Sequence, residues 1–428
     1  MLSLIHHLSA HLSKVCWFWT ALLLGSCTPK APDSPYHGNF RQAAEYEPTG
    51  AIWLQWPRQS PLQDQPLDSL YFQLLREISS QAPIRFIVPD SSFREHILLG
   101  CQHRGLATDK LSFFEIPYSE FWTRDMGPRF LTGPKGQLAM ADFGFDTWSY
   151  LPPTDSLAQL DEKLDERVAD VLGIPVRSSI LVAEGGDQEI NRHGILMLTE
   201  SVQFRRNPNL TRSQIEAEYR RILGAKSFVW FRKGLRDDDF TLDGGIPDGK
   251  GDTLLTCLTT NGHVDEYARF ADDTTVLIAR GNQRASHPVE RESARRMAEN
   301  ERILRRARTH KGKPFRIIPV PLPSPFTLEM EPGDGTYDIL REMAFADGYR
   351  YGWGGRREKM IAASSYLNFL IVNDLVLVPA YGVPSDEEAM HAYRKAFPGK
   401  NIVTIHPLSL NWGGGGIHCI TQNEPGIK

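Results

Sequence analysis

From residue 43 onward two apolar rhythms alternate along the chain. Stretches with apolar positions three and four apart, the spacing of one helix face, are each followed by a short continuous apolar run bounded by Gly or Pro. "DSLYFQLLREISSQ" leads to "PIRFIVPD", and "FREHILLGCQHRG" to "LSFFEIPY". "LAQLDEKLDERVADVLG" leads to "SSILVAEGG", and "QIEAEYRRILG" to "SFVWFRKG". A longer helix, "ERESARRMAENERILRRARTH", precedes "PFRIIPVPLP", and "EEAMHAYRKAFPG" precedes "NIVTIHPLS". Continuous runs predict strands covered on both faces, as in α/β layering. Recurrence of the same helix–strand unit predicts one architecture of repeated units over residues 43–428, not a string of separate domains.

The N-terminal pattern differs. A short apolar run, "VCWFWTALLLGS", follows His6, His7, His11 and Lys14 and ends at Cys27. It is too short to span a bilayer and has the length of a signal-peptide core. "LGSC" resembles a bacterial lipobox, so residues 1–26 are expected to be a lipoprotein signal peptide, with Cys27 lipidated in the cell envelope, the outer membrane favoured. An ordinary secretory signal is the alternative. The Pro-rich residues 27–42 would then be a tether and the membrane contact would be through lipid alone. Composition adds little: 428 residues, 41% hydrophobic, net charge −4, with no clustered basic face of the kind that binds nucleic acid. Of five cysteines, none are paired at zinc-ligand spacing, so no structural zinc site is expected. Cys101, Cys257 and Cys419 remain beyond the tether, an odd number that leaves a free thiol in an oxidising compartment.

Unusual polar motifs fall at the ends of the apolar runs: "WTRDMGPRF", "AEGGDQ", "NGHVDEY" and "GGGGIHC". Strand ends are where α/β folds bind ligands, so the repeat should bring these motifs to one site. His263 and Asp265, placed on a strand, would share one face. Together the motifs supply Asp125, Glu184, His263, Asp265 and Cys419: a thiol, an imidazole and three carboxylates. Anions destabilise a thiolate, so this set would suit a papain-like nucleophile badly. It suits a substrate that brings positive charge, and a guanidinium offers carboxylates a planar fork of N–H donors.

With "EYEPTGAIWLQWP", "WTRDMGP", "AEGG", "GHVDEY", "ASSYLNFLIVNDLVLVPAYG" and "GGGGIHCITQNEP" in order, the chain resembles the agmatine deiminase and bacterial peptidylarginine deiminase family from Glu45 to Pro425. That resemblance implies the pentein fold, a five-fold pseudosymmetric α/β propeller of ββαβ-type units, and no cofactor. It also implies roles. Cys419 attacks the guanidinium carbon to give a covalent thiouronium. Asp125 and Asp265 hold the guanidinium nitrogens, His263 moves protons, and Glu184 orients His263. Trp122, Arg124, Asp146, Asn368, Gly415 and Gly416 are expected to line the substrate pocket, the glycines letting backbone pass close to the substrate.

Three departures bear on the substrate. An Asp- and Gly-rich insertion, residues 236–260, precedes "GHVDE" where relatives read "GHVDN"; it is expected to be a lid or a surface loop, with calcium binding a lesser alternative. Cys257 lies within it, a rival nucleophile without a Gly-rich approach. "GFDTWSYLPP" has no cation and carries Asp146, an expected anion at the channel mouth that would favour agmatine, which has no carboxylate, over arginine or an arginine-containing peptide. Amidinotransfer and a non-catalytic, lipid-anchored binding role are the competing readings; the intact thiol, His and carboxylates favour hydrolysis.

Overall fold

The computed structural model describes residues 39–427; the apolar N-terminal run and Cys27 lie outside them. The strands form six small sheets. Five share one plan: a strand, an antiparallel neighbour, a helical crossover, and a third strand parallel to the second. In chain order the first antiparallel pairs of four of them are Arg129–Thr132 with Leu138–Gly144, Glu189–Ile190 with Ile195–Thr199, Ala268–Phe270 with Thr275–Arg280, and Leu370–Val372 with Leu375–Pro379. Their parallel third strands are Val176–Val182, Ser227–Phe231, Arg316–Pro321 and Asn401–Ile405. The fifth unit joins the two ends of the chain. Its first strand is the C-terminal Thr421–Pro425, its second Thr49–Gln55, and its third Ile84–Val88, extended by Leu111–Glu115. The ring of five ββαβ units is thus closed by its last strand, the pentein arrangement.

Local chemistry sets the crossovers. Asp68–Ile78 buries Leu70, Tyr71, Leu74, Leu75 and Ile78 on one face. Arg212–Leu223 starts on a Thr211–Gln214 capping box and stops at Gly224, whose φ of +69° a side chain would strain. The stretch expected as one helix from Leu157 is two, Ser156–Glu162 and Leu164–Leu172, broken at Lys163 (φ −91°, ψ 8°). Not every strand is covered twice: Val176–Val182 exposes Ser178 and Ile180, and Leu111–Glu115 exposes Ser112 and Glu115.

The sixth sheet corrects the expectation for the insertion. Residues 236–260 are neither lid nor surface loop. They carry strands Ile246–Pro247 and Thr253–Thr256, the latter parallel to Glu358–Ile361, which pairs in turn with Thr327–Met330. Asp237, Asp238, Thr241, Thr256, Cys257 and Thr259 are buried. Leu255 and Cys257 pack with Met330, Tyr337 and Met360 in a separate apolar cluster, and the Cys257 thiol faces the Ile361 carbonyl at 3.2 Å. Burial pushes that thiol far up, and it lies in this apolar cluster and not among the polar motifs.

Candidate active site

Each of the five units sends one loop to the middle of the ring, immediately ahead of its first strand. Asp125 precedes Arg129–Thr132, Glu184 precedes Glu189–Ile190, and His263 and Asp265 precede Ala268–Phe270. Asn368 precedes Leu370–Val372, and Cys419 precedes Thr421–Pro425. Asp125 sits on the single helical turn Thr123–Met126. His263 and Asp265 are not on a strand as expected: His263 opens a 3-10 turn, Val264–Glu266, so turn geometry directs both side chains.

The side chains meet in a buried site. Cys419 Sγ lies 3.1 Å from Asn368 Nδ2 and 3.8 Å from both Asp265 Oδ2 and Glu266 Oε1. Asp265 Oδ2 also takes a 2.7 Å hydrogen bond from His418 Nδ1, whose Nε2 is 2.6 Å from Glu45. Opposite, the His263 ring lies between two carboxylates, Nδ1 at 3.7 Å from Asp125 and Nε2 at 3.7 Å from Glu184. These are ion-pair separations, too long for hydrogen bonds. Asp125 is fixed by Gly186 N–H on Oδ1 (2.9 Å) and Trp148 Nε1–H on Oδ2 (2.8 Å). Glu184 is fixed by the wholly buried Arg206 on Oε1.

The glycines answer to tight packing. A side chain at Gly186 would put Cβ 2.4 Å from His263 Nδ1 and 3.0 Å from Asp125 Oδ1, filling the site itself. Gly414 has φ +100° with the Leu258 carbonyl 1.9 Å from its would-be Cβ. Gly415 and Gly416 abut Trp122 and Asn368 respectively. In "GGGG", then, close approach is to protein groups, which press the loop so that Cys419 faces the site.

Four polar atoms in this site are buried without a partner: Glu184 Oε2, both His263 nitrogens and Asp265 Oδ1. Buried polar groups are ordinarily satisfied, so these mark places where a ligand completes the hydrogen bonding. The electrostatics agree. Burial, Asp265, Glu266 and Asp125 push the Cys419 thiol well up, so without a cation it stays protonated. Burial opposes charge on His263, but Asp125 and Glu184 outweigh it and raise the imidazole to about 10. Burial would raise Glu184, yet Arg206 and His263 hold it at about 2. Burial, with Asp265 and Glu184, raises Asp125. For Asp265 the His418 hydrogen bond prevails over burial and keeps the carboxyl below its ordinary value. Among the described residues, the donor atoms of Asp265, Glu266 and Cys419 lie within 4.8 Å of one another, and the Asn368 amide nitrogen sits at 2.8–3.3 Å from all three, in the place a cation would take.

Two expected pocket residues are placed otherwise. Arg124 turns its guanidinium away, onto the His418 carbonyl, Asn423 and Glu45. Asp146 is no free anion at a mouth: it takes Ser149 N–H and Oγ–H and stands 3.6 Å from Arg206. Trp122 packs against the Gly415 backbone, and Asn368 touches the sulfur as expected. Sequence reasoning missed Glu266, His418, Glu45, Trp148, Arg206 and Gly186. Five had a trace, since "HVDE", "IHC", "EYEP", "AEGG" and "FDTW" contain Glu266, His418, Glu45, Gly186 and Trp148; Arg206 arrives through tertiary contact alone.

The Porphyromonas-type peptidyl-arginine deiminase family profile matches residues 41–248 and 250–425. A Streptomyces avermitilis relative is 31% identical over 402 residues, covering 92% of this chain and 99% of its own. The agmatine deiminase of Pseudomonas aeruginosa is 26% identical over 92% of this chain and 97% of its own. Among solved structures, the agmatine deiminase of Enterococcus faecalis superposes with a TM-score of 0.71 at 24% identity, over 91% of this chain and 97% of that one. With a profile match across nearly the whole described ring, the chain belongs to the Porphyromonas-type peptidyl-arginine deiminase family.

Proposed function

We propose that the protein is a guanidine deiminase, a hydrolase of amidine C–N bonds, with agmatine as its substrate. The observation that carries the reading is the carboxylate-rich surround of Cys419, in which Asp265 Oδ1 and Glu184 Oε2 are buried acceptors with no donor, the kind of atom a planar cation with N–H donors would satisfy. A bound guanidinium also reverses the field at sulfur, so the thiol gives up its proton to solvent as the cation enters and regains one when the product is freed. Sulfur bonds to the guanidinium carbon while Asp125 and Asp265 hold its nitrogens. The His263 imidazolium gives its proton to the departing nitrogen, leaving a thiouronium and ammonia. Water then adds, His263 takes a proton, and the C–S bond breaks to free the ureido product. Overall, guanidinium plus water gives a urea plus ammonium.

Agmatine is favoured because cations near the site are already engaged. Arg206 serves Glu184 and Asp146, Arg269 serves Glu45 and Glu189, and Arg124 serves Glu45. A substrate carboxylate would be buried without a partner. The names carried by the Pseudomonas and Enterococcus relatives point the same way. Ammonia release compared across agmatine, free arginine and a C-terminal arginine peptide tests the reading. Agmatine should give the highest kcat/KM, with turnover abolished in Cys419→Ser; no ammonia from agmatine, or a better carboxylate-bearing substrate, overturns it.

We further propose export and lipid anchoring through Cys27 in the cell envelope, on the strength of "LGSC" after a short apolar run. Palmitate labelling should be lost in Cys27→Ala; equal labelling of the variant refutes the anchor.

A further inference from the structure

We propose that Glu266 is a substrate-contacting specificity residue, a carboxylate that accepts a guanidinium N–H on the Asn368 side of the Cys419 sulfur. The inference rests on the guanidine reading above. Glu266 Oε1 stands 3.8 Å from Sγ, the same distance as Asp265 Oδ2, the oxygen of a residue assigned to hold the substrate. The Asn368 amide ties the three together, with Nδ2 at 2.8 Å from Glu266, 3.3 Å from Asp265 and 3.1 Å from sulfur. Two acidic side chains from one turn thus flank the nucleophile. A guanidinium carbon brought up to Sγ would carry its nitrogens between them.

The surroundings leave this carboxyl without a structural counter-charge. Glu184 has Arg206, and Asp265 has His418. Among the described residues no Arg, Lys or His side chain bonds to Glu266. The charged groups facing it are Asp265 on its own turn, Asp237 and Asp238 from the insertion, and the Cys419 thiol. The Tyr381 phenol and Asn368 amide are its polar neighbours. Burial and those three aspartates raise the Glu266 carboxyl well above its ordinary value. Burial and like charges oppose ionisation of this carboxyl, and an arriving cation favours it, since a buried charge needs a partner. Binding therefore releases its proton to solvent and leaves a carboxylate–guanidinium pair. Had Glu266 served only to hold Asn368, a neutral acceptor of the same shape would do equally well, and this distinguishes the two roles.

Calorimetric titration of agmatine into Cys419→Ser protein at pH 7, in two buffers of different ionisation enthalpy, reads the protons released. Removing the thiol leaves Glu266 as the group to be compared. Against Cys419→Ser alone, the double variant with Glu266→Gln should release about one proton fewer per agmatine. It should also bind about tenfold more weakly, the worth of one charge-assisted hydrogen bond. In the otherwise native enzyme, Glu266→Gln should raise KM more than it lowers kcat and shift the acidic limb of kcat/KM, with melting unchanged. Glu266→Asn serves equally if the Gln variant folds poorly. Equal proton release and equal affinity overturn the proposal, as does agmatine binding with no proton released. Glu266-dependent proton release without ammonia from the wild-type protein would refute deimination and leave Glu266 as a cation reader. Failure of Cys419→Ser protein to bind agmatine refutes both.

Discussion

Asp125 and Trp148 show what a single residue contributes here and what sequence could reveal of it. Asp125 stood out because "TRD" joins a carboxylate to a family motif; its partner did not, because nothing in "FDTW" announces an indole aimed at a site twenty-odd residues back. The partner is held under strain. Thr147, Trp148 and Ser149 all have φ between +52° and +69°, where β-branched and aromatic residues rarely sit. The turn is fixed by Asp146, which takes Ser149 N–H and Oγ–H, and it delivers Nε1–H to Asp125 Oδ2 at 2.8 Å. That donor supports the ionised aspartate in a pocket where burial opposes ionisation. Trp148→Phe keeps the packing and removes the donor, so kcat/KM should drop by about 1.5–3 kcal/mol of transition-state stabilisation, the range for a hydrogen bond to a charged group. Steady-state kinetics with agmatine measure it, and a drop below twofold would show that Gly186 N–H alone fixes Asp125. His263, Asp265, Glu184 and Cys419 stood out for the same reason as Asp125; Glu45 and Gly186 lay in quoted motifs but their contacts did not show, and Arg206 lay in none.

At the scale of elements, helices and strands were legible from their apolar spacing, while short polar-rich elements were not. The insertion is the clearest case: its Asp and Gly content has the composition of a surface loop, yet Asp238 accepts Thr260 N–H (2.9 Å) and His263 N–H (3.2 Å) beneath the site. Burial of those aspartates is a property of the sheet they join, which periodicity could not show in strands of two and four residues. The helix Glu200–Arg206 makes a similar connection. Its last residue, Arg206, reaches Glu184, Ser149 Oγ at 3.3 Å and the Thr260 carbonyl at 3.1 Å, linking three loops of the site. Because this guanidinium is buried, Arg206→Met removes the counter-ion bonded to Glu184 and leaves only the His263 imidazolium at 3.7 Å. Stability should fall by about 3–5 kcal/mol, the cost of breaking a buried pair from one side. The double change with Glu184→Gln should recover most of that loss in denaturant unfolding while remaining inactive, because His263 stays unoriented. A single variant as stable as the native protein would mean that water or the His263 imidazolium compensates Glu184.

For the whole molecule, the repeat was legible as a kind of unit, but the number five emerges only from strand pairing, because one unit is assembled from both chain ends. Trp53 pairs in register with Gln422, its Nε1–H donates to Glu424 at 2.8 Å, and Gly426 N–H reaches the Pro48 carbonyl at 2.7 Å. Closing the ring turns five loops inward and concentrates acidic groups where water is excluded, which sets how stability depends on pH. Burial raises Asp161 and Asp238 to about 6, and Asp187 and Asp237 to about 7. The folded protein therefore keeps protons that the unfolded chain releases near pH 4, so stability from these groups is complete below pH 4 and lost as pH rises to 7. His263, at about 10 against an ordinary 6.5, acts in the same direction: its contribution is complete below 6.5 and lost on the way to 10. Glu184, held at about 2, contributes fully above pH 4.5 and adds no slope in that window. The melting temperature should accordingly decline from pH 5 to pH 9. Each tenfold change in proton affinity is worth about 1.4 kcal/mol, so every one of these raised groups adds to the slope. Asp187→Asn with Asp237→Asn should flatten the decline below pH 7 and leave the His263 portion above it. A melting temperature that is level or rises across this range would mean that the buried aspartates stay ionised, solvated or paired within the ring.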